Sequence, residues 1–85
     1  MSEWHVYMVR CADGSLYTGI AKDVKARVAA HNAGKGAKYT RARGPVEQVF
    51  CEGACDHGAA LRRERAIKKL RPEAKRRLVA EFGKR

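Results

Sequence analysis

Eighty-five residues hold one hydrophobic core at most, so a single domain over 1–85 is expected. Lysine and arginine number 19 against 9 acids, a formal charge of +10, which excludes an acidic solvating tail and points to a polyanionic partner. No apolar stretch nears the roughly 20 residues that a bilayer span needs, Met1–His5 carries an acid where a signal peptide is apolar, and Cys11, Cys51 and Cys55 form no CxxC pair. No membrane contact, disulfide framework or zinc site is therefore expected, and a reducing cytoplasm is the expected compartment.

Trp4 to Arg10 is rich in strand formers and predicts a first strand. Ala12-Asp13-Gly14-Ser15 predicts a turn, because Asp-Gly supplies positive φ, and Leu16 to Ile20 a returning strand. Asp23 is an N-cap for a helix to about Ala33, which Gly34 ends. Gly34 to Pro45 is expected as a basic loop, and Val46 to Glu52 as a third strand. Asp56 caps a second helix to about Leu70. Pro72 opens a third, with Leu78, Val79 and Phe82 as its apolar face. The order is β-β-α-β-α-α, an α/β (α+β) domain with a small three-stranded sheet and helices packed on it.

The charge is uneven. From Val24 to Val46 there is no acid, while Lys25, Arg27, Lys35, Lys38, Arg41 and Arg43 stand there with Tyr39 among them. Solvated helix faces are the plainer explanation, but the flanking glycines and the aromatic favour a nucleic-acid backbone.

Three polar features sit where apolar residues are expected. In the first helix Val24, Arg27, Val28 and His31 form a core-facing stripe. Arg27 and His31 lie one turn apart and imply an acidic partner or an anion site; the plainer reading of the pair alone is that Arg27 snorkels outward and His31 is a satisfied edge residue. In the second helix Glu64 shares a face with Ala60 and Ile67. It needs a cation, either a metal ion or Lys68 at i+4. Tyr7 and Tyr17 lie on adjacent strands, where register decides whether they meet. An odd loop centred on Gly14 puts them on one face; a two-residue turn separates them.

These residues together resemble the GIY-YIG nuclease family. Its signature is Gly-Ile-Tyr followed a short stretch later by Tyr-Ile-Gly, here His5-Val6-Tyr7 and Tyr17-Thr18-Gly19. The strings Arg10 to Gly19, His31 to Arg41 and Ala60 to Glu64 are similar to those of the small single-domain bacterial members. The resemblance implies a metal-dependent endonuclease that hydrolyses phosphodiester bonds, DNA rather than RNA, in repair or processing. It matches Tyr7 and Tyr17 to the two motif tyrosines, Arg27 to the helix arginine, His31 to a histidine one turn later, and Glu64 to the ligand of one Mg²⁺ or Mn²⁺ ion.

On that resemblance Tyr7 is the expected general base, with Tyr17 as the alternative, and Arg27 and the ion draw its phenol toward phenolate. Tyr17 and His31 would orient the reacting groups. Lys35, Lys38, Tyr39, Arg41 and Arg43 would grip the nucleic acid, with Tyr39 stacking on a base. His5 and Thr18 replace the family's glycine and isoleucine, and no asparagine follows Glu64, where many members carry one. The rival expectation is a non-catalytic nucleic-acid-binding domain with a weakened active site. Glu64 counts against it, because a bare carboxylate repels phosphate.

Overall fold

The computed structural model describes residues 3–84; Met1, Ser2 and Arg85, part of the expected domain, lie outside the described residues. The strands are β1 (Trp4–Arg10), β2 (Leu16–Ala21) and β3 (Glu47–Ala54). The helices are α1 (Val24–Asn32), α2 (Lys38–Arg41), α3 (His57–Lys68) and α4 (Pro72–Gly83). The sheet is antiparallel with order β2-β1-β3. The first strand is thus central, and Val6, Tyr7, Met8 and Val9 are all buried. This unbroken run of buried residues reflects a strand covered on both faces.

Alternation along β1 divides the core. Val6 and Met8 point to one face and pack with Phe50, Ala60 and Ile67, with Leu78, Val79 and Phe82 of α4 against them. Tyr7 and Val9 point to the other face and pack with Cys11, Val24 and Val46. The sheet therefore lies between α3 and α4 on one side and α1 on the other. No helix among the described residues is long and apolar enough to cross a membrane.

The local signals act as their chemistry dictates. Asp23 accepts from the Ala26 N–H at 3.0 Å, and Asp56 from the Ala59 N–H at 2.7 Å. Gly34 takes φ +78° beyond the end of α1, and Pro72 stands at the start of α4. The differences from expectation are in the connections. The expected loop from Gly34 to Pro45 contains α2, one turn in which the Ala37 carbonyl accepts from both the Thr40 N–H at 3.0 Å and the Thr40 hydroxyl at 2.9 Å. The third strand starts one residue later and runs to Ala54, because it pairs with β1 as far as Trp4.

One side chain joins the two ends of the basic segment. Asn32 accepts from the Val46 N–H at 2.7 Å and donates to the Val46 carbonyl at 3.1 Å. It does for the start of β3 what a neighbouring strand would do. Asn32→Ala should therefore cost about 1–3 kcal/mol through the unpaired backbone groups, seen as a lower denaturant midpoint at unchanged m. An unchanged midpoint would show that the clamp contributes nothing.

Candidate active site

Tyr7 lies opposite Gly19 in the β1–β2 ladder. Its ring crosses that glycine so closely that a Cβ there would stand 2.7 Å from the phenol oxygen. Tyr17 lies opposite Val9, two residues along β1 from Tyr7, so both tyrosines share the α1 face. The ladder ends at Arg10 opposite Leu16. The odd loop between them, Cys11–Ser15, is centred on Asp13 rather than Gly14, and it sets this register.

His31 closes the site from α1. The residue is 2% exposed. Nε2 is 2.8 Å from the Tyr7 hydroxyl oxygen and Nδ1 is 2.7 Å from Oγ1 of Thr40. The Tyr17 ring meets the imidazole edge-on at 5.4 Å. Gly36 passes so near that a Cβ on it would collide with the histidine ring. Arg27, one turn earlier, is half-buried and has no carboxylate partner among the described residues. It sits in no ion pair among the described residues and faces the Tyr7 phenol, so its charge remains for an anion. Glu64 comes from the opposite helical layer, and its side chain is 17% exposed. Its carboxylate is 3.5 Å from Lys68 Nζ and acts by charge on the Tyr7 phenol. Tyr7, Tyr17, Arg27 and His31 thus meet on the α1 face, and Glu64, on α3, is near enough to act on the Tyr7 phenol by charge.

The electrostatics of the pair at the centre are set by burial. Desolvation raises the Tyr7 pKa above its ordinary value; the neighbouring Arg27 guanidinium opposes this, while Tyr17 and Glu64 add to it. With the protein's own groups alone the phenol is therefore neutral at pH 7; the expected drift toward phenolate counted an ion's charge as well as that of Arg27. Arg27 pulls in the expected direction, but the loss of water outweighs it. Burial, and then the Arg27 charge, lower the His31 pKa, so the imidazole is neutral too.

Two of the residues expected to grip nucleic acid are otherwise engaged. Arg43 lies 4.0 Å from the Tyr39 ring centroid, donates to the Tyr39 carbonyl at 2.8 Å and pairs with Asp13 at 3.3 Å. Tyr39 also stacks on Tyr17, with centroids 5.9 Å apart. Arg43 thus links α2 to the hairpin, and Tyr39 stacks on Tyr17 while remaining exposed. Lys35, Lys38 and Arg41 remain exposed beside the site. Thr18 lies opposite Met8 and points away from the tyrosines, so its replacement of isoleucine leaves them untouched. His5 lies on the tyrosine face, with its Nδ1 buried and unpartnered. Gly36, Thr40 and Asn32 were not singled out by sequence reasoning. Gly36 and Thr40 stand in the string from His31 to Arg41, but no local periodicity reveals what they touch.

A model of the GIY-YIG catalytic domain matches residues 3–77. The chain belongs to the GIY-YIG family. That family is a nuclease superfamily, generally metal-dependent, with nucleic acid as substrate. The chain is 52% identical over 81 residues to the UPF0213 protein SERP0126 of Staphylococcus epidermidis, covering 95% of this chain and 99% of that one. A UPF0213 protein of Staphylococcus aureus is equally similar, at 52% over the same length. The solution structure of the UPF0213 protein BH0048 from Bacillus halodurans superposes with a TM-score of 0.59 at 43% identity, over 91% of this chain and 82% of that one. The shared architecture is the three-stranded antiparallel sheet with its flanking helices. In this GIY-YIG domain the first motif supplies the central strand and Tyr7, and the second supplies Tyr17 and the glycine that Tyr7 crosses.

The depressed His31 pKa has a thermodynamic consequence. Below the ordinary histidine value near 6.5 the unfolded chain binds a proton that the folded chain refuses, so stability falls as pH drops below that value. Urea midpoints between about pH 7.5 and 5 should show this decline, and His31→Gln should flatten it. An equal decline in both proteins would place the titrating group elsewhere.

Proposed function

We propose that this protein is a metal-dependent nuclease that hydrolyses phosphodiester bonds in nucleic acid. The observation that carries the reading is the meeting of two tyrosines, an arginine outside any ion pair and a neutral histidine beside exposed basic residues, with a glutamate that acts by charge on the first tyrosine. A phosphodiester is anionic, so positive charge must gather where its bonds rearrange. Arg27 would hold a non-bridging phosphate oxygen through its fork of donors. Lys35, Lys38 and Arg41 would contact the backbone on either side. Its three free cysteines suit a reducing compartment, the cytoplasm.

Tyr7 would act as a relay. A neutral phenol cannot simply collect a proton, but it can pass one on. As water loses a proton to the Tyr7 oxygen, the phenol's own proton moves to His31 Nε2 at 2.8 Å. The water oxygen bonds to phosphorus, the ester P–O bond breaks, and the departing oxygen takes a proton from solvent. Tyr17 would orient the water or the phosphate from the same face.

Glu64 is the candidate metal ligand. No group of three His, Cys, Asp or Glu side chains that could hold an ion occurs among the described residues. One carboxylate still fits Mg²⁺ or Mn²⁺, hard cations that keep several waters and draw other ligands from substrate phosphate. The ion, when bound, supplies positive charge at the departing oxygen. The single acid and the Lys68 pair also favour a second reading, a nucleic-acid-binding domain with a weakened site. A binder, however, gains nothing from a carboxylate beside phosphate.

Glu64→Gln separates the two. It keeps shape, removes charge, and forfeits a surface pair worth a few tenths of a kcal/mol. Cleavage of a panel of labelled DNA and RNA structures in Mn²⁺ should fall at least about 100-fold. Binding in chelator should persist or tighten. Equal cleavage by wild type and Glu64→Gln would overturn the role of Glu64.

A further inference from the structure

The Tyr7–His31 contact works as a relay in one tautomer of His31, and the surrounding network has a group that selects it. A hydroxyl has one proton to give. Oγ1 of Thr40 is 2.9 Å from the Ala37 carbonyl oxygen, which has no proton, so Thr40 must donate there. Its oxygen then faces His31 Nδ1 at 2.7 Å as an acceptor, and Nδ1 must carry the hydrogen. A neutral imidazole has one N–H, so Nε2 is bare toward the Tyr7 hydroxyl. The donations run from Tyr7 to His31, from His31 to Thr40, and from Thr40 to the Ala37 carbonyl.

One contact opposes this order. The Ala37 N–H lies 3.4 Å from Nδ1 and would suit the other tautomer. That tautomer would turn the Thr40 proton to Nδ1 and leave two oxygens 2.9 Å apart with no proton between them. A donor-to-donor approach at 3.4 Å costs less than an acceptor pair at 2.9 Å, and the shorter contacts decide.

We propose that Thr40 is a positioning residue that acts through His31, holding the hydrogen on Nδ1 so that Nε2 stays open to the proton of Tyr7. α2 exists in this arrangement to bring Thr40 to the imidazole. Thr40 is itself fully buried, and Gly36 leaves the space in which the ring meets it. An orienting partner behind a catalytic base follows the general logic by which a third group fixes which ring nitrogen is free. The tautomer stands on the hydrogen-bond geometry alone; its consequence for rate rests on the nuclease reading above.

The test uses three chains: wild type, Thr40→Ser and the near-isosteric Thr40→Val. Imidazole nitrogen shifts are read by NMR around pH 8, where the ring is neutral. Wild type and Thr40→Ser should carry the hydrogen on Nδ1. In Thr40→Val the Ala37 N–H is left facing Nδ1, and the hydrogen should move to Nε2. Against a cleaved substrate, kcat should fall at least about tenfold in Thr40→Val with KM little changed, and Thr40→Ser should restore it. A wild type with its hydrogen on Nε2 overturns the proposal, whatever the variants do. So does Thr40→Val keeping both the Nδ1–H form and full activity. If the tautomer moves as expected while wild type cuts nothing in the panel, the nuclease reading fails and the positioning role stands. If wild type cuts and the tautomer ignores Thr40, the positioning role fails and the nuclease reading stands.

Discussion

The hydrogen bond between the Tyr7 hydroxyl and His31 Nε2 is the constraint around which this small fold is arranged. It is 2.8 Å long and buried, so neither group has water to fall back on. A buried donor or acceptor left without its partner costs about 1–3 kcal/mol, a large share of what a chain this size can hold. The neighbouring residues follow from it. Gly19 has no side chain because the Tyr7 ring occupies that space, and Gly36 has none because the His31 ring does. Thr40 is drawn in to satisfy the second ring nitrogen. Asn32, next to His31, ties the end of α1 to the first residues before β3.

The sheet divides stability from most of the chemistry. The face under α3 and α4 is filled by Val6, Met8, Phe50, Ala60 and Ile67, and Glu64 of α3 is the one residue of that layer with a part in the proposed reaction. The other face places two phenols, an imidazole and a guanidinium under one short helix. Burial there costs solvation, which shows as a Tyr7 pKa pushed up and a His31 pKa pushed down. Both shifts favour the neutral forms, and the two neutral groups satisfy one another. The same surroundings that make Tyr7 a poor phenolate make it a good conduit, because its proton already points at an empty lone pair.

Much of this was legible in the sequence, and the rest was hidden for a physical reason. The strands, caps and helix starts rest on local rules: Asp23 and Asp56 cap as carboxylates do, Pro72 opens a helix, and the apolar run of β1 belongs to a covered strand. The stripe logic found Arg27, His31 and Glu64, since a polar residue on an apolar face stands out. What stayed hidden lies in pairs that periodicity cannot join. The Thr40 and Asn32 contacts span a turn whose path no local signal fixes. Arg43 read as one more cation in a basic segment, and nothing local showed that it also pairs with Asp13 and lies over the Tyr39 ring. The tyrosines shared a face or not according to one residue of loop length, which alternation along either strand leaves open. The phenolate expectation counted Arg27 and an ion; among the protein's own groups burial outweighs Arg27.

Tyr7→Phe tests the central claim most directly, because it keeps the ring over Gly19 and removes a single oxygen. The measurement is single-turnover cleavage in Mn²⁺ beside nucleic-acid affinity in chelator, on the same preparation. The variant should stay folded, bind as wild type does, and lose at least about 100-fold in cleavage rate, the usual scale of a lost proton-transfer group. If Tyr7→Phe cuts as fast as wild type, the phenol carries no proton in the reaction, and the buried hydrogen bond serves the fold alone.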